Sequence, residues 1–126
     1  MAQDIVSDAL NMIKNAKNVS KEEVEIKRIS NLLIEILKIM KQKNYIKKYK
    51  INPKEKSVTV TIGEIEECKA IKPRFTVKKD EIEKYKRRYL PARDIGIILI
   101  STSKGLMTHE EAENENIGGC LIAYFY

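Results

Sequence analysis

The sequence contains few of the cysteines and histidines that build zinc sites, and it has no tryptophan. Its 126 residues include two cysteines and one histidine. Cys68 and Cys120 are far apart, no Cys-x-x-Cys motif occurs and His109 stands alone, so we predict neither a metal site nor any other cofactor. Both thiols are expected to be reduced. His109 is expected to be exposed at the start of a helix, without a catalytic role.

Long apolar runs and catalytic motifs are also missing. No apolar run approaches the roughly 18–20 residues that span a bilayer, and the N-terminus has no apolar signal core. We therefore expect a soluble, cytoplasmic protein with no membrane partner. The order Lys104-Gly105 does not fit a P-loop, and no Gly-x-Ser-x-Gly motif occurs. With one histidine and no paired-carboxylate signature, we predict that the chain is not an enzyme and has no small-molecule substrate.

Positive charge is concentrated on particular segments of this basic chain. Lysines and arginines number 24 and acidic residues 18, for a net charge of +6. Residues 69–93 contain ten basic residues and three acidic ones, and four glutamates follow between residues 110 and 115. This distribution suits a phosphate-binding surface, although a solvated helix face would have the same composition.

The periodicity predicts an α+β fold in two small domains, residues 1–65 and 66–126. The first domain is predicted to have the order helix–strand–helix–strand–strand, with helices at 4–16 and 31–43 and strands at 24–27, 45–51 and 57–62. Asp4 and Ser30 are the predicted caps of these helices. The second domain is predicted to be mainly antiparallel β with short helices, with strands at 68–71, 75–78, 95–100 and 121–126 and helices at 80–88 and 108–116. Asp80 and Thr108 begin predicted capping boxes.

The most distinctive stretch follows the apolar strand at 95–100. It comprises Ser101, Thr102, Ser103, Lys104 and Gly105, and a glycine pair, Gly118 and Gly119, opens the last strand. Two interpretations remain open. Either these are ordinary turn residues, or hydroxyl groups and bare backbone recognise polar edges of RNA, which requires no acid, base or metal.

Five segments, in order along the whole chain, resemble the universal small-subunit ribosomal protein eight family in its archaeal and eukaryotic form. The most specific are Ser101-Thr102-Ser103-x-Gly105-x-Met107 and Ile117-Gly118-Gly119. The others are Ala70-Ile71-Lys72-Pro73-Arg74-Phe75, Arg88-Tyr89-Leu90-Pro91-Ala92-Arg93-Asp94 and Lys14-Asn15-Ala16 within the first predicted helix. The resemblance implies two α+β domains and no enzymatic activity.

The resemblance also implies direct binding to the central domain of small-subunit ribosomal RNA, whose folding and assembly the protein would support within the ribosome, beside neighbouring small-subunit proteins. The serine/threonine loop and the glycine pair of the family contact a distorted RNA core. The candidate RNA-binding residues are Lys14, Asn15, Arg28, Ser30, Lys72, Arg74, Arg87, Arg88, Arg93, Ser101, Thr102, Ser103, Lys104, Gly105, Gly118 and Gly119.

Three departures from the family pattern limit this transfer. Ile5 replaces a common proline, and Cys120 replaces a carboxylate of many bacterial relatives. Asn31 replaces a frequent lysine, and Arg28 is a candidate substitute for the missing phosphate contact. The alternative function is that of an RNA-binding protein outside the ribosome, such as a translational repressor of its own mRNA.

Overall fold

The computed structural model describes residues 5–72, 74–92 and 95–126, and the chain divides into two compact units, Met1–Cys68 and Lys69–Tyr126. The first unit contains α1 (Ile5–Asn18), β1 (Glu23–Ile26), α2 (Asn31–Gln42), β2 (Ile46–Asn52) and β3 (Ser57–Ile62). Its strands form an antiparallel sheet in the order β1-β3-β2. The predicted order of elements is therefore confirmed, while the predicted cap Asp4 lies outside the described residues.

Helix α2 begins and ends where the local sequence predicts. The hydroxyl oxygen of Ser30 accepts a hydrogen bond from the backbone N–H of Leu33 at 3.2 Å, an interaction that typically stabilises a helix by about 1 kcal/mol. Asn44, with a φ of +67°, ends the turn after the helix. Leu33, Leu37 and Met40 are fully buried. Burial of this apolar stripe stabilises the helix against the sheet.

The second sheet contains β4 (Cys68–Ala70), β5 (Thr76–Val77), β6 (Ile97–Thr102), β7 (Gly105–Thr108) and β8 (Gly119–Phe125). Its strand order is β4-β8-β6-β7, and β5 also pairs with β8. Helix α3 (Ile82–Tyr89) follows a 3-10 turn at Lys79–Glu81, and helix α4 (His109–Glu115) follows β7. These short helices and antiparallel strands confirm the predicted α+β class. Among the described residues, no helix has the length and apolar character needed to cross a membrane.

The apolar strand begins and ends later than predicted. Ile95 is 52% exposed and Gly96 has a φ of +94°, so β6 begins only at Ile97. At its other end the strand includes Ser101 and Thr102, which were predicted to lie in a loop. The strand β7 was not predicted at all. It pairs with β6 through a tight turn, so the hydroxyl-rich stretch is a β-hairpin.

The start of the α3 region also differs from the prediction. The capping box predicted at Asp80 and Glu83 is wrong, because the side chain of Glu81 accepts a hydrogen bond from the backbone N–H of Lys78 at 2.9 Å. The 3-10 turn therefore starts at Lys79, one residue before the predicted helix, and its N-cap is Lys78 in place of Asp80. The cap at Thr108 is confirmed, since its hydroxyl oxygen accepts from the N–H of Glu111 at 3.2 Å. The Glu111 carboxylate accepts from the same hydroxyl group and not from the backbone N–H that a capping box would use.

His109 is buried, contrary to the prediction, with 3% of its surface exposed. In the β6–β7 pairing Leu99 lies opposite Thr108, so the next position of β7 would face Ile98. The chain turns into α4 at that point. The Nδ1 atom of His109 accepts the hydrogen bond of the Ile98 N–H at 3.1 Å, in place of a strand carbonyl. Burial, with Lys86 nearby, lowers the pKa of His109.

Both cysteines are free, and they differ in environment. Cys68 is buried, and its thiol donates to the carbonyl of Leu10 at 3.2 Å. Burial, with a smaller contribution from the charge of Glu67, raises the pKa of the Cys68 thiol to about 12. This thiol is therefore protonated and poorly nucleophilic at neutral pH. Cys120 is half-buried at the start of β8.

Candidate nucleic-acid interface

The tip of the β6–β7 hairpin displays the hydroxyl-rich stretch. Thr102 pairs with Gly105, which leaves Ser103 and Lys104 as the two turn residues. Gly105 has a φ of +110°, a conformation that glycine adopts at low cost in hairpin turns. The Thr102 hydroxyl accepts from the Lys104 N–H at 3.1 Å and donates to the Gly105 carbonyl at 2.9 Å. Thr102 therefore holds the shape of the tip, while Ser103 and Lys104 are exposed.

Lys104 is paired within the second unit. Its ammonium group lies 2.8 Å from a carboxylate oxygen of Glu115, the last residue of α4, and both side chains are more than half exposed. Hydrogen bonding to Lys104 lowers the pKa of Glu115. An exposed pair of this kind contributes little stability because water screens it. A phosphate group can therefore compete with Glu115 for this lysine.

The glycine pair is required by the surrounding strands. An ideal Cβ atom at Gly118 would lie 2.2 Å from the Val77 carbonyl oxygen, and one at Gly119 would lie 2.3 Å from the Ser101 carbonyl oxygen. Real Cβ atoms do not approach backbone this closely. By contrast, a Cβ at Gly105 would meet no atom within 4 Å. Packing of β8 between β5 and β6 is thus a sufficient reason for Gly118 and Gly119, whereas the space beside Gly105 is open.

Strand register joins the hairpin to the start of β8. Ser101 lies opposite Cys120, which in turn lies opposite Thr76 of β5. Directly opposed residues share one face of a sheet, so these three side chains form a row. Ser101 and Thr76 are exposed, while the neighbouring positions Ile100 and Leu121 are buried. We call Thr76, Cys120, Ser101 and the tip Ser103–Gly105 the hydroxyl surface.

Thr76 is a member of this surface that the sequence analysis missed. It stands 25 positions before Ser101 in the chain, in a two-residue strand whose pairing only the fold reveals. No local pattern marks a threonine of this kind. Thr76 is identified only by the register of β5 on β8, which places it opposite Cys120.

The basic candidates of the second unit fall into two groups. Arg87 and Arg88 are exposed on α3, and the Arg88 guanidinium lies 5.6 Å from the centre of the Tyr89 ring. Lys72 and Arg74 are exposed on the segment between β4 and β5. Lys86 also belongs to the basic segment 69–93, but it forms ion pairs with Glu83 and Glu113. Arg93 lies outside the described residues.

Lys86 connects α3 to α4. Its ammonium group lies 2.8 Å from a carboxylate oxygen of Glu83 and 3.1 Å from one of Glu113. Hydrogen bonding to Glu83 raises the pKa of Lys86 despite its partial burial. Because Lys104 binds Glu115, the acidic helix α4 forms ion pairs both with α3 and with the hairpin tip.

Two of the four candidates of the first unit have identified structural partners. The Lys14 ammonium lies 2.8 Å from a carboxylate oxygen of Glu67, and the Ser30 hydroxyl caps α2. Asn15 is exposed on α1, and Arg28 is exposed between β1 and α2. Two of these four side chains thus have a role in the fold.

The described residues contain no group of three or more His, Cys, Asp or Glu side chains placed to hold a metal ion. The exposed candidate residues mainly carry hydroxyl and cationic groups, which can bind a polyanion, while exposed glutamates such as Glu23 and Glu110 lie elsewhere on the surface. The chain belongs to the family described as ribosomal protein S8, whose model matches residues 4–126. The resemblance noted from the sequence is confirmed.

Relatives in archaea are similar over their whole length. The chain is 43% identical to the small ribosomal subunit protein uS8 of Nanoarchaeum equitans, with all of both chains covered. It is also 43% identical to the uS8 protein of Picrophilus torridus and 42% identical to that of Archaeoglobus fulgidus, again with full coverage.

Proposed function

We propose that this protein is a structural constituent of the small ribosomal subunit. In this proposal it binds directly to the central domain of small-subunit ribosomal RNA, supports the folding and assembly of that RNA, and contacts neighbouring small-subunit proteins within the cytoplasmic ribosome. The observation that carries the proposal is the similarity, over the full chain, to proteins named as small ribosomal subunit uS8.

The chemistry of the hydroxyl surface supports an RNA target. Regular A-form RNA hides its base edges in a deep, narrow groove, so proteins recognise irregular RNA by its shape, its 2′-hydroxyl groups and its exposed edges. Ser101 and Ser103 can each donate and accept a hydrogen bond, and the open space beside Gly105 admits a sugar or a base. The surface thus carries groups that can distinguish one RNA shape from another.

The exposed arginines supply the second component of binding. Arg87 and Arg88 lie on α3, which is joined to α4 through Lys86 and Glu113. Cations of this kind attract the phosphate backbone and release counterions, but carry no sequence information. We assign selectivity to the hydroxyl surface and much of the attraction to the cations. We also propose residues 1–65 and 66–126 as the two domains.

The substitution Ser103→Ala tests the hydroxyl surface. Removal of one partner from a desolvated contact typically costs about 1–3 kcal/mol. We expect affinity for small-subunit RNA to fall by a corresponding factor at fixed salt, with an unchanged melting temperature. The matched control is Thr59→Val, which removes a partly exposed hydroxyl from β3. Equal losses in the two variants, or no loss in Ser103→Ala, would remove the hairpin tip from the binding site.

A footprint tests the RNA target itself. Chemical probing of small-subunit RNA with and without the protein should show protection confined to the central domain. Gradient sedimentation of cell extract should find the protein with small subunits. A protein found only in the free pool, or protection only elsewhere in the RNA, contradicts the proposed function.

A further inference from the structure

A second cationic segment lies in the first unit. Residues 38–56 contain eight lysines and a single acid, Glu55, for a net charge of +7. Residues 69–93, with ten basic and three acidic residues, also carry +7, so the rest of the chain carries −8. Residues 38–56 reach this charge over a shorter length, and it results from lysine alone.

The structure places seven of these lysines around one edge of a sheet. β2 is an edge strand, since no other described strand pairs with it on the side away from β3. The lysines lie at the end of α2, along β2 and in the turn to β3. We call this set the lysine edge: Lys41, Lys43, Lys47, Lys48, Lys50, Lys54 and Lys56, all exposed.

The two faces of β2 both carry positive charge. Lys48 and Lys50 lie opposite Thr61 and Thr59, on the solvent-facing side of the sheet. Lys41 approaches β2 from the helix side, with its ammonium group 5.9 Å from the centre of the Tyr49 ring. The cations therefore surround the edge and are not confined to one face.

The opposite edge of the same sheet carries the opposite charge. Glu23 and Glu25 of β1 lie across from Thr61 and Thr59. Two rows on the solvent-facing side of the sheet thus run from a glutamate through a threonine to a lysine. A polyanion is attracted to the β2 edge and repelled from the β1 edge.

In the part of the chain that the structure describes, no ion pair neutralises the lysine edge. Within the described residues, none of its ammonium groups lies within 4.0 Å of a carboxylate oxygen. Lys14, Lys86 and Lys104, by contrast, are each paired with a glutamate. Like charges at this density repel one another and oppose folding unless another partner neutralises them.

We propose that the lysine edge is a second RNA-binding surface, which holds the phosphate backbone of the RNA bound by the hydroxyl surface; this inference rests on the proposed function. Lysine ammonium groups are mobile point charges that suit phosphates without reading a sequence. Lys48 and Lys50 have Cα atoms about 7 Å apart along the strand, so they can contact different phosphates. The N–H groups on the free side of β2 are further donors.

Lysines on an edge strand have another use, because they prevent edge-to-edge pairing between molecules. That function requires charge at the edge but no RNA. The two functions differ in their salt dependence. Removing one lysine–phosphate interaction flattens the plot of log affinity against log salt by about one unit, whereas edge protection contributes nothing to that slope.

The test is the full-length variant Lys48→Gln/Lys50→Gln, with binding measured at several salt concentrations. The probes are small-subunit RNA and an unrelated RNA duplex. We expect a slope flatter by about two units for both RNAs, with an unchanged ratio between the two affinities. Lys48→Arg/Lys50→Arg should restore the slope. The control is Lys27→Gln, which removes one exposed lysine just after β1, at the opposite edge of the sheet, and should leave the slope unchanged.

Several outcomes overturn the proposal. One is a wild-type slope in the Lys48→Gln/Lys50→Gln variant, whether or not that variant self-associates in sedimentation. Another is displacement of bound RNA by polyglutamate as effectively as by competitor RNA of equal charge. That result would show that the lysine edge binds any polyanion and is not an RNA-binding surface in particular. If the wild-type protein shows no preference for small-subunit RNA over the duplex, the proposed function fails, and the slopes still report on the lysine edge.

Discussion

At the residue scale, a substitution at Gly119 can distinguish whether the fold or RNA binding requires a glycine there. Its absent side chain leaves room for the Ser101 carbonyl, 2.3 Å from where a Cβ would stand. We expect Gly119→Ala to lower the free energy of unfolding by about 1–3 kcal/mol through overpacking, measured by urea denaturation. Cys120→Ala, one position along the strand, adds no atom and should cost less. A Gly119→Ala protein with wild-type stability and weakened RNA binding would instead show that the glycine admits the ligand.

His109 should make stability depend on pH. Its neutral Nδ1 atom accepts the Ile98 N–H, and burial lowers its pKa below the ordinary value of 6.5. The unfolded chain therefore binds a proton more readily than the folded protein. The stabilisation is complete above pH 6.5 and is lost as pH falls from there toward the lower pKa of the folded state.

The measurement is urea denaturation between pH 5 and 8. Lys86, Glu83, Glu110 and Glu113 also influence this histidine, so the control must keep their charges. His109→Gln does so, and its amide oxygen can accept the same hydrogen bond. This variant should lose most of the pH dependence in that range. An equally steep dependence in both proteins would assign it to other groups.

At the scale of the element, glutamates of helix α4 form ion pairs with neighbouring lysines. Glu115 holds Lys104 at 2.8 Å, at the tip of the hairpin. Removing this partner should release the lysine to a phosphate. We expect Glu115→Gln to increase RNA affinity and to steepen its salt dependence by up to about one unit.

The control for this prediction is Glu110→Gln in the first turn of α4. It removes the same charge from an exposed side chain farther from the tip. If the two variants bind RNA equally well, the change reflects net charge and the specific pair with Lys104 has no role.

At the scale of the whole molecule, the two halves are expected to divide the work of binding. A fragment of residues 66–126 retains the hydroxyl surface and should still prefer small-subunit RNA, more weakly than the full chain. A fragment of residues 1–65 retains the lysine edge and should bind RNA with steep salt dependence and little preference. Circular dichroism must first show that each fragment is folded. A preference carried by residues 1–65 alone would refute this assignment.

Features that depend on residues close together in the chain could be predicted from the local sequence. Ser30 caps α2 and Thr108 caps α4, because a cap needs only its own side chain and an N–H three residues later. Val58, Val60 and Ile62 of β3 alternate with threonines in the sequence and are buried, as a half-buried strand requires. Short motifs also indicated the family, which the match over residues 4–126 confirms.

Contacts between residues far apart in the chain could be identified only from the fold. Lys14 and Glu67 are 53 positions apart, yet they form an ion pair, and strand register alone sets Thr76 and Ser101 on either side of Cys120. His109 is buried because α4 begins where β7 would have continued beside Ile98. The physical reason is the same in each case. The periodicity and propensities of a segment indicate its preferred secondary structure. The residues that a side chain contacts from distant segments depend instead on how strands pair and helices pack across the fold.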